Sequence, residues 1–301
     1  MTDPTTAAPA GLLFDEARSA EIVAASLRDT TDPRLRELLT SLVTHLHAFV
    51  KEVRLTPAEW AAAIAFLTDT GQRCDDVRQE FILLSDVLGV SMLVETLDNG
   101  VHGELTEATV EGPFHMVASP ARDLGAGLDE VGGSGEPCLV TGRVVDEDGV
   151  PVAGATVDVW QADADGFYDV QRPGQTPPGN LRGLFTADAD GRFWFRSVVP
   201  RHYPIPTDGP VGRLLRATGR HGFRPAHIHF EVSAPGCRTL TTHIFVNGSA
   251  YLDSDAVFGV KASLIYDFTS VDDPRRAAEA GLPNPFRRVD FPVVLRRTPD
   301  R

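Results

Sequence analysis

Histidine recurs with one intervening residue at two places, His45-Leu46-His47 and His227-Ile228-His229, and the backbone period decides what each pair can do. In a helix, a separation of two turns the side chains about 200° apart, so His45 and His47, which lie in a helical run, cannot share an ion. In a strand, residues i and i+2 project from one face about 7 Å apart, close enough for two imidazoles to converge on a metal. His227 and His229 sit in such a run. A strand also places two histidines on a wet face with no chemical consequence, and the pair by itself leaves both readings open. Of the four tyrosines, Tyr168 and Tyr203 stand just ahead of Pro/Gly-rich loops. Each alone reads as an amphipathic ring with a wet hydroxyl. Two phenolates with two imidazoles, however, form a hard, dianionic donor set suited to a trivalent cation. Fe(III) is the biological candidate able to ionise phenols that otherwise titrate at about 10.

The elements that must hold these residues change along the chain. From residue 13 to about 97 the apolar residues recur at helical spacing, as in Leu35, Leu38, Leu42, Leu46, Phe49 and Val53. Asp32-Pro33 and Thr56-Pro57-Ala58-Glu59 supply start signals, and a third helix is expected over roughly 73–96 with Phe81, Leu84, Leu88 and Met92 on one face. Residues 98–137 lose periodicity and gain Gly, Pro and acidic residues. Beyond Cys138, short β-branched and aromatic runs alternate with Asp-Gly turns, at Cys138-Val145, Val152-Trp160, Phe193-Phe195, 227–234, 239–247 and 286–296. The expected fold is therefore mainly β: an antiparallel β-sandwich catalytic domain (138–301), a helical N-terminal domain (1–103) and a connector (104–137) contributing to the pocket. Two loops too long for hairpin turns, 171–180 and 204–212, are where a site is expected.

Composition narrows the function classes. The balance of 28 Lys+Arg against 42 Asp+Glu, net −14, lacks the basic footprint of a nucleic-acid binder. Three cysteines, Cys74, Cys138 and Cys237, make an odd count with no paired spacing, which points to free thiols and a cytoplasmic setting. The start of the chain has no secretory pattern, and no apolar run approaches the roughly 20 residues of a membrane span.

Gly112-Pro113-Phe114, Asp158-Val159-Trp160-Gln161-Ala162, Gly166-Phe167-Tyr168-Asp169, Leu181-Arg182-Gly183, the run from Pro200 to Gly212 and Arg224-Pro225-Ala226-His227-Ile228-His229-Phe230 together resemble the intradiol ring-cleavage dioxygenases over nearly the whole chain. The resemblance implies Fe(III) held by Tyr168, Tyr203, His227 and His229, with a hydroxide completing the site. Arg224 would then face the anion that develops on the substrate, and Tyr203 would be the ligand that leaves as substrate binds. It also implies a homodimer joined through the helical domain, where lipid could bind, although the sequence does not decide whether it does.

Within the family, Glu111-Gly112-Pro113-Phe114-His115, Thr241-Thr242-His243-Ile244-Phe245 and the run from Tyr251 to Val260 are similar to the branch that cleaves hydroxyquinol (benzene-1,2,4-triol) in aromatic catabolism. His243 stands where catechol-type members carry Gln, as a residue beside the ligands. By the same likeness Leu83, Asp86, Val110, Gly112, Pro113, Phe114, Ile205, Pro206, Arg224 and Val257 shape the substrate pocket. Leu83 and Val257 read equally as plain core, whereas a carboxylate such as Asp86 on an apolar helix side is costly unless a partner, for example a third substrate hydroxyl, meets it. The expected product is 3-hydroxy-cis,cis-muconate, the enol of maleylacetate. The alternatives are a catechol or chlorocatechol 1,2-dioxygenase, or a non-catalytic β-sandwich binding module.

Overall fold

The computed structural model describes residues 13–75, 78–99, 105–115, 118–132 and 135–298. The expected start of the chain and the expected boundary at 103/104 lie outside them. The described residues fall into two compact units, divided between Thr68 and Asp69. In the first, α1 (Ser19–Ala25) meets α2 (Pro33–Val53) through His47 Nδ1 and Ser19 Oγ at 3.0 Å. Asp32 caps α2 by accepting from the amides of Arg34 and Leu35, ahead of a proline at the first helical position. Helix α3 (Pro57–Gln72) starts at the Thr56/Glu59 capping box. No residue of α2 is buried, and Leu38, Leu42, Leu46, Phe49 and Val53 of α2 and Trp60 of α3 are all exposed.

The expected third helix is two helices, α4 (Glu80–Val87) and α5 (Val90–Asn99), divided at Gly89, whose φ of +73° an L side chain rarely adopts. The break divides the expected face: Leu84 and Met92 are buried, whereas Phe81 and Leu88 are exposed. These helices belong to the same unit as the sheets.

That unit contains a four-stranded sheet in the order β10-β11-β1-β4 and a five-stranded sheet in the order β3-β2-β7-β8-β9. The first is built from β1 (Pro137–Asp146), β4 (Arg192–Val198), β10 (Thr269–Val271) and β11 (Phe286–Leu295). The second is built from β2 (Thr156–Gln161), β3 (Arg182–Thr186), β7 (His227–Ser233), β8 (Leu240–Val246) and β9 (Ile265–Tyr266). A third pairing joins β5 (Tyr203–Pro204) to β6 (Phe223–Arg224), with α6 (Pro210–Ala217) between them, and α7 (Pro274–Ala280) precedes β11. Most pairs are antiparallel, as the alternation predicts, but β11 joins β1 in parallel and β9 joins β8 in parallel. Val157, Val159, Ile228, Phe230, Val232 and Ile244 of the second sheet pack with Val140, Phe193, Phe195, Val289, Phe291 and Val293 of the first in one dry core. With those residues turned inward, the intervening residues of β2, β7 and β8 face the other way, and the site is built on that face.

Candidate metal centre and substrate pocket

Register brings the site's polar side chains into rows. Trp160, His229 and His243 are cross-strand partners, as are Asp158, Glu231 and Thr241, and His227 pairs with Phe245. Alternation alone therefore delivers both histidines of the second His-x-His to one surface. Tyr168 arrives from the loop after β2 and Tyr203 from β5, which hydrogen-bonds across to Arg224 on β6.

Four donor atoms close a ring. Tyr168 Oη lies 3.0 Å from His229 Nε2, which is 3.0 Å from His227 Nε2; Tyr203 Oη is 3.4 Å from His227 Nε2 and 3.3 Å from Tyr168 Oη. All four residues are buried. Ligands about 2.0–2.2 Å from a shared ion are separated by edges of this length. The proton inventory agrees. His227 Nδ1 donates to the Pro225 carbonyl at 2.7 Å, which leaves Nε2 as a lone pair. Burial drives both imidazoles well below their ordinary pKa, so the rings are neutral. Burial also pushes both phenols up, so a strongly charged cation is what would ionise them. The residues present thus fit a high-valent metal ion.

Arg224 lies at the rim of this ring, Nη1 3.3 Å from His227 Nε2, and pairs with Asp255 at 3.2 Å. Burial would lower its pKa, but the charge and hydrogen bond of Asp255, together with Tyr203 and Tyr168, outweigh this and the guanidinium stays above its ordinary value. Asp255 also accepts from the amides of Val257 and Gly259, so the Tyr251–Val260 run orients Arg224 through its carboxylate. Sequence reading passed over Asp255, although an acid at the fifth position of a quoted motif was a visible signal. It also passed over the buried Arg182, whose Nε donates to Asp169 at 2.8 Å and whose Nη2 donates to the Phe114 carbonyl at 2.9 Å. Arg182 thereby ties the residue after Tyr168 to the connector. Phe114 in turn stacks on the Tyr168 ring, with centroids 4.6 Å apart.

His243 packs tilted against the His229 ring, centroids 4.1 Å and planes 60° apart, and bonds Thr109 Oγ1 through Nδ1, while its Nε2 has no hydrogen-bond partner among the described residues. The nitrogens of His227, His229 and His243 all lie within 4.8 Å of one another, so this triad is a second donor set the fold offers.

A cavity of about 610 Å³ opens beside the ring, and Leu83, Asp86, Val110, Gly112, Pro113, Phe114 and Pro206 line it. Ile205, Arg224 and Val257 are not in its lining; all three are buried. Gly112 is required by geometry: with φ at +82°, a Cβ there would meet His229 Cε1 at 3.0 Å. Asp86 is buried on the cavity wall, and burial raises its pKa even though Ser91 and the charge of Arg224 act in the opposite direction.

A buried ring of two phenols and two imidazoles, rimmed by a guanidinium and beside a cavity large enough to admit an aromatic ring, has the make-up of a non-haem metal enzyme's site. Residues 110–297 match the family model described as dioxygenase, and residues 32–104 match that of the catechol dioxygenase N terminus. The hydroxyquinol 1,2-dioxygenase of a Rhizobium species is 54% identical over 285 residues, covering 94% of this chain and 96% of that protein. The 6-chlorohydroxyquinol 1,2-dioxygenase of Cupriavidus pinatubonensis is 55% identical over 286 residues, with 95% and 99% covered. The solved hydroxyquinol 1,2-dioxygenase of Pseudomonas putida superposes with a TM-score of 0.86 at 47% identity, with 94% and 99% covered. The chain belongs to the intradiol ring-cleavage dioxygenases, a family that implies non-haem iron.

Proposed function

We propose that this enzyme cleaves benzene-1,2,4-triol between its adjacent hydroxyls, adding both atoms of O2 to form 3-hydroxy-cis,cis-muconate. The observation that carries the reading is the ring of two phenol oxygens and two imidazole nitrogens, 3.0–3.4 Å apart, beside a cavity with a buried carboxylate on its wall. Tyr168, Tyr203, His227 and His229 would hold Fe(III), which supplies the electron-withdrawing charge that opens a catecholate ring to O2. Tyr203 Oη accepts a proton from one of the adjacent substrate hydroxyls. Arg224, held by Asp255, presents a fixed positive charge to the anion that develops on the ring. Gly112, Pro113 and Phe114 roof the ring, Leu83, Val110 and Pro206 enclose its edges, and Ile205 and Val257 support this lining from the buried layer. Asp86 accepts a hydrogen bond from the third hydroxyl, and that contact separates triol from catechol and chlorocatechol. His243 braces the His229 ring from the neighbouring strand.

Oxygen uptake with benzene-1,2,4-triol and catechol side by side, with iron content and product identified, tests the reading. Turnover of the triol well above that of catechol is expected; equal rates reject the triol assignment and leave the iron site standing.

The exposed apolar side chains of α2 and α3 support a homodimer joined through the N-terminal helices, and acyl chains of bound lipid would sit against the same surface. Sedimentation showing a monomer at every concentration would contradict the first, and a lipid-free solvent extract the second. Among the described residues no helix is long and apolar enough to cross a membrane, and the three free cysteines suit the cytoplasm.

A further inference from the structure

The two histidines of the ring are oriented by different devices. His227 is fixed by its Nδ1 hydrogen bond to Pro225, whereas His229 Nδ1 is buried with no hydrogen-bond partner among the described residues. Metal-ligating imidazoles are ordinarily held by such a bond, so another contact must set the His229 plane. The indole of Trp160, its cross-strand partner, stacks on it with centroids 4.7 Å apart and planes 14° apart. His115 stacks on the same indole at 4.2 Å and 28°.

We propose that His115 is a positioning residue, which seats the indole of Trp160 and through it sets the ring plane of His229. The inference rests on the reading of His229 as an iron ligand. Both ring nitrogens of His115 face carboxylate oxygens, Nδ1 that of Glu111 and Nε2 that of Asp158 at 3.3 Å. Two acceptors require two N–H donors, so the ring is an imidazolium, and its pKa is correspondingly pushed up to about 9. Glu231, facing it from β7 in register with Asp158, adds a third carboxylate to the group. Like charges opposed across strands repel, and His115 is the cation that holds Glu111 and Asp158 together over the sheet. A cation against an indole is attracted to its π-face. Charge and stacking therefore press Trp160 toward one orientation, and the Glu111–His115 turn carries Gly112 to within a Cβ contact of the same His229 ring.

The test is the rate at which a chelator strips iron from the substrate-free holoenzyme, which is read without turnover. His115→Ala should release iron on the order of 10- to 100-fold faster than the wild type. His115→Arg, which keeps a cation able to stack and to pair with carboxylates, should restore slow release. In the wild type, release should quicken as pH rises through about 9, a step that His115→Arg lacks. Unchanged release from His115→Ala overturns the proposal, and so does fast release from a folded His115→Arg. Should the variants fail to fold by near-ultraviolet circular dichroism, the wild-type profile decides, and a flat profile overturns it. A wild-type chain that binds no iron at all would instead overturn the ligand assignment, which separates the two failures.

Discussion

Arg224 and Asp255 form a buried ion pair, side chains 1% and 2% exposed, beside the reacting centre. Such a pair is weak evidence for stability, because desolvation offsets the attraction, but removing one member strands the other charge. Asp255→Asn should therefore cost about 3–5 kcal/mol in denaturant unfolding. Arg224→Lys keeps the charge and loses the fork that Asp255 grips. It should retain iron and lower kcat on the order of 10²- to 10³-fold; iron loss in Arg224→Lys would make the residue structural. Asp86 poses the complementary case of a buried carboxylate whose pKa burial raises, with Ser91 and the charge of Arg224 offsetting only part of that. Asp86→Ala should lower kcat/KM for the triol and narrow its advantage over catechol, an advantage that one satisfied hydroxyl can raise to ~10⁴-fold. Iron content should not change, and an unaltered preference would remove Asp86 from the account of specificity.

At the scale of elements, the strand β7 does the most. Its period places His227 and His229 on one face while Ile228, Phe230 and Val232 anchor the other in the core. The connector supplies the opposite wall, and it approaches closely only because Gly112 has no side chain. Gly112→Ala combines a positive φ with a 3.0 Å approach to His229, so the turn must shift. Its expected result is a fall in kcat and a changed charge-transfer spectrum in iron-loaded protein, with a melting temperature lowered by only a few degrees, as for a cost of about 1 kcal/mol. A spectrum identical to wild type would show that the turn gives way without disturbing the ring. The helices were legible from their period up to residue 72, and the later break was not. A pattern of apolar residues continues through Leu88 and Gly89, and only the conformation at Gly89 divides α4 from α5.

Across the whole molecule many of the ion pairs join exposed side chains and have small individual weight, so the pH dependence of stability rests on the few partly buried groups. Hydrogen bonds to Asp158 and then Glu111 hold the His115 pKa at about 9, above the ordinary histidine value of 6.5. Its contribution is fully present below about pH 6.5 and is lost as pH rises through about 9. The melting temperature of apo wild type, minus that of His115→Phe, should shrink across that interval; a constant difference would mean that the imidazolium contributes nothing. What the sequence supplied by itself was the candidate chemistry: two phenols, two imidazoles and a guanidinium in motifs whose spacing already fits strand and loop, because side-chain type and local period are properties of short segments. What the tertiary structure decided was which atoms meet. The pairing of Asp255 with Arg224, the bridge from Arg182 to Phe114, the parallel seat of β11 and the row of His115, Trp160 and His229 all join residues far apart in the chain. Their proximity follows from strand register and loop packing, which no local pattern encodes.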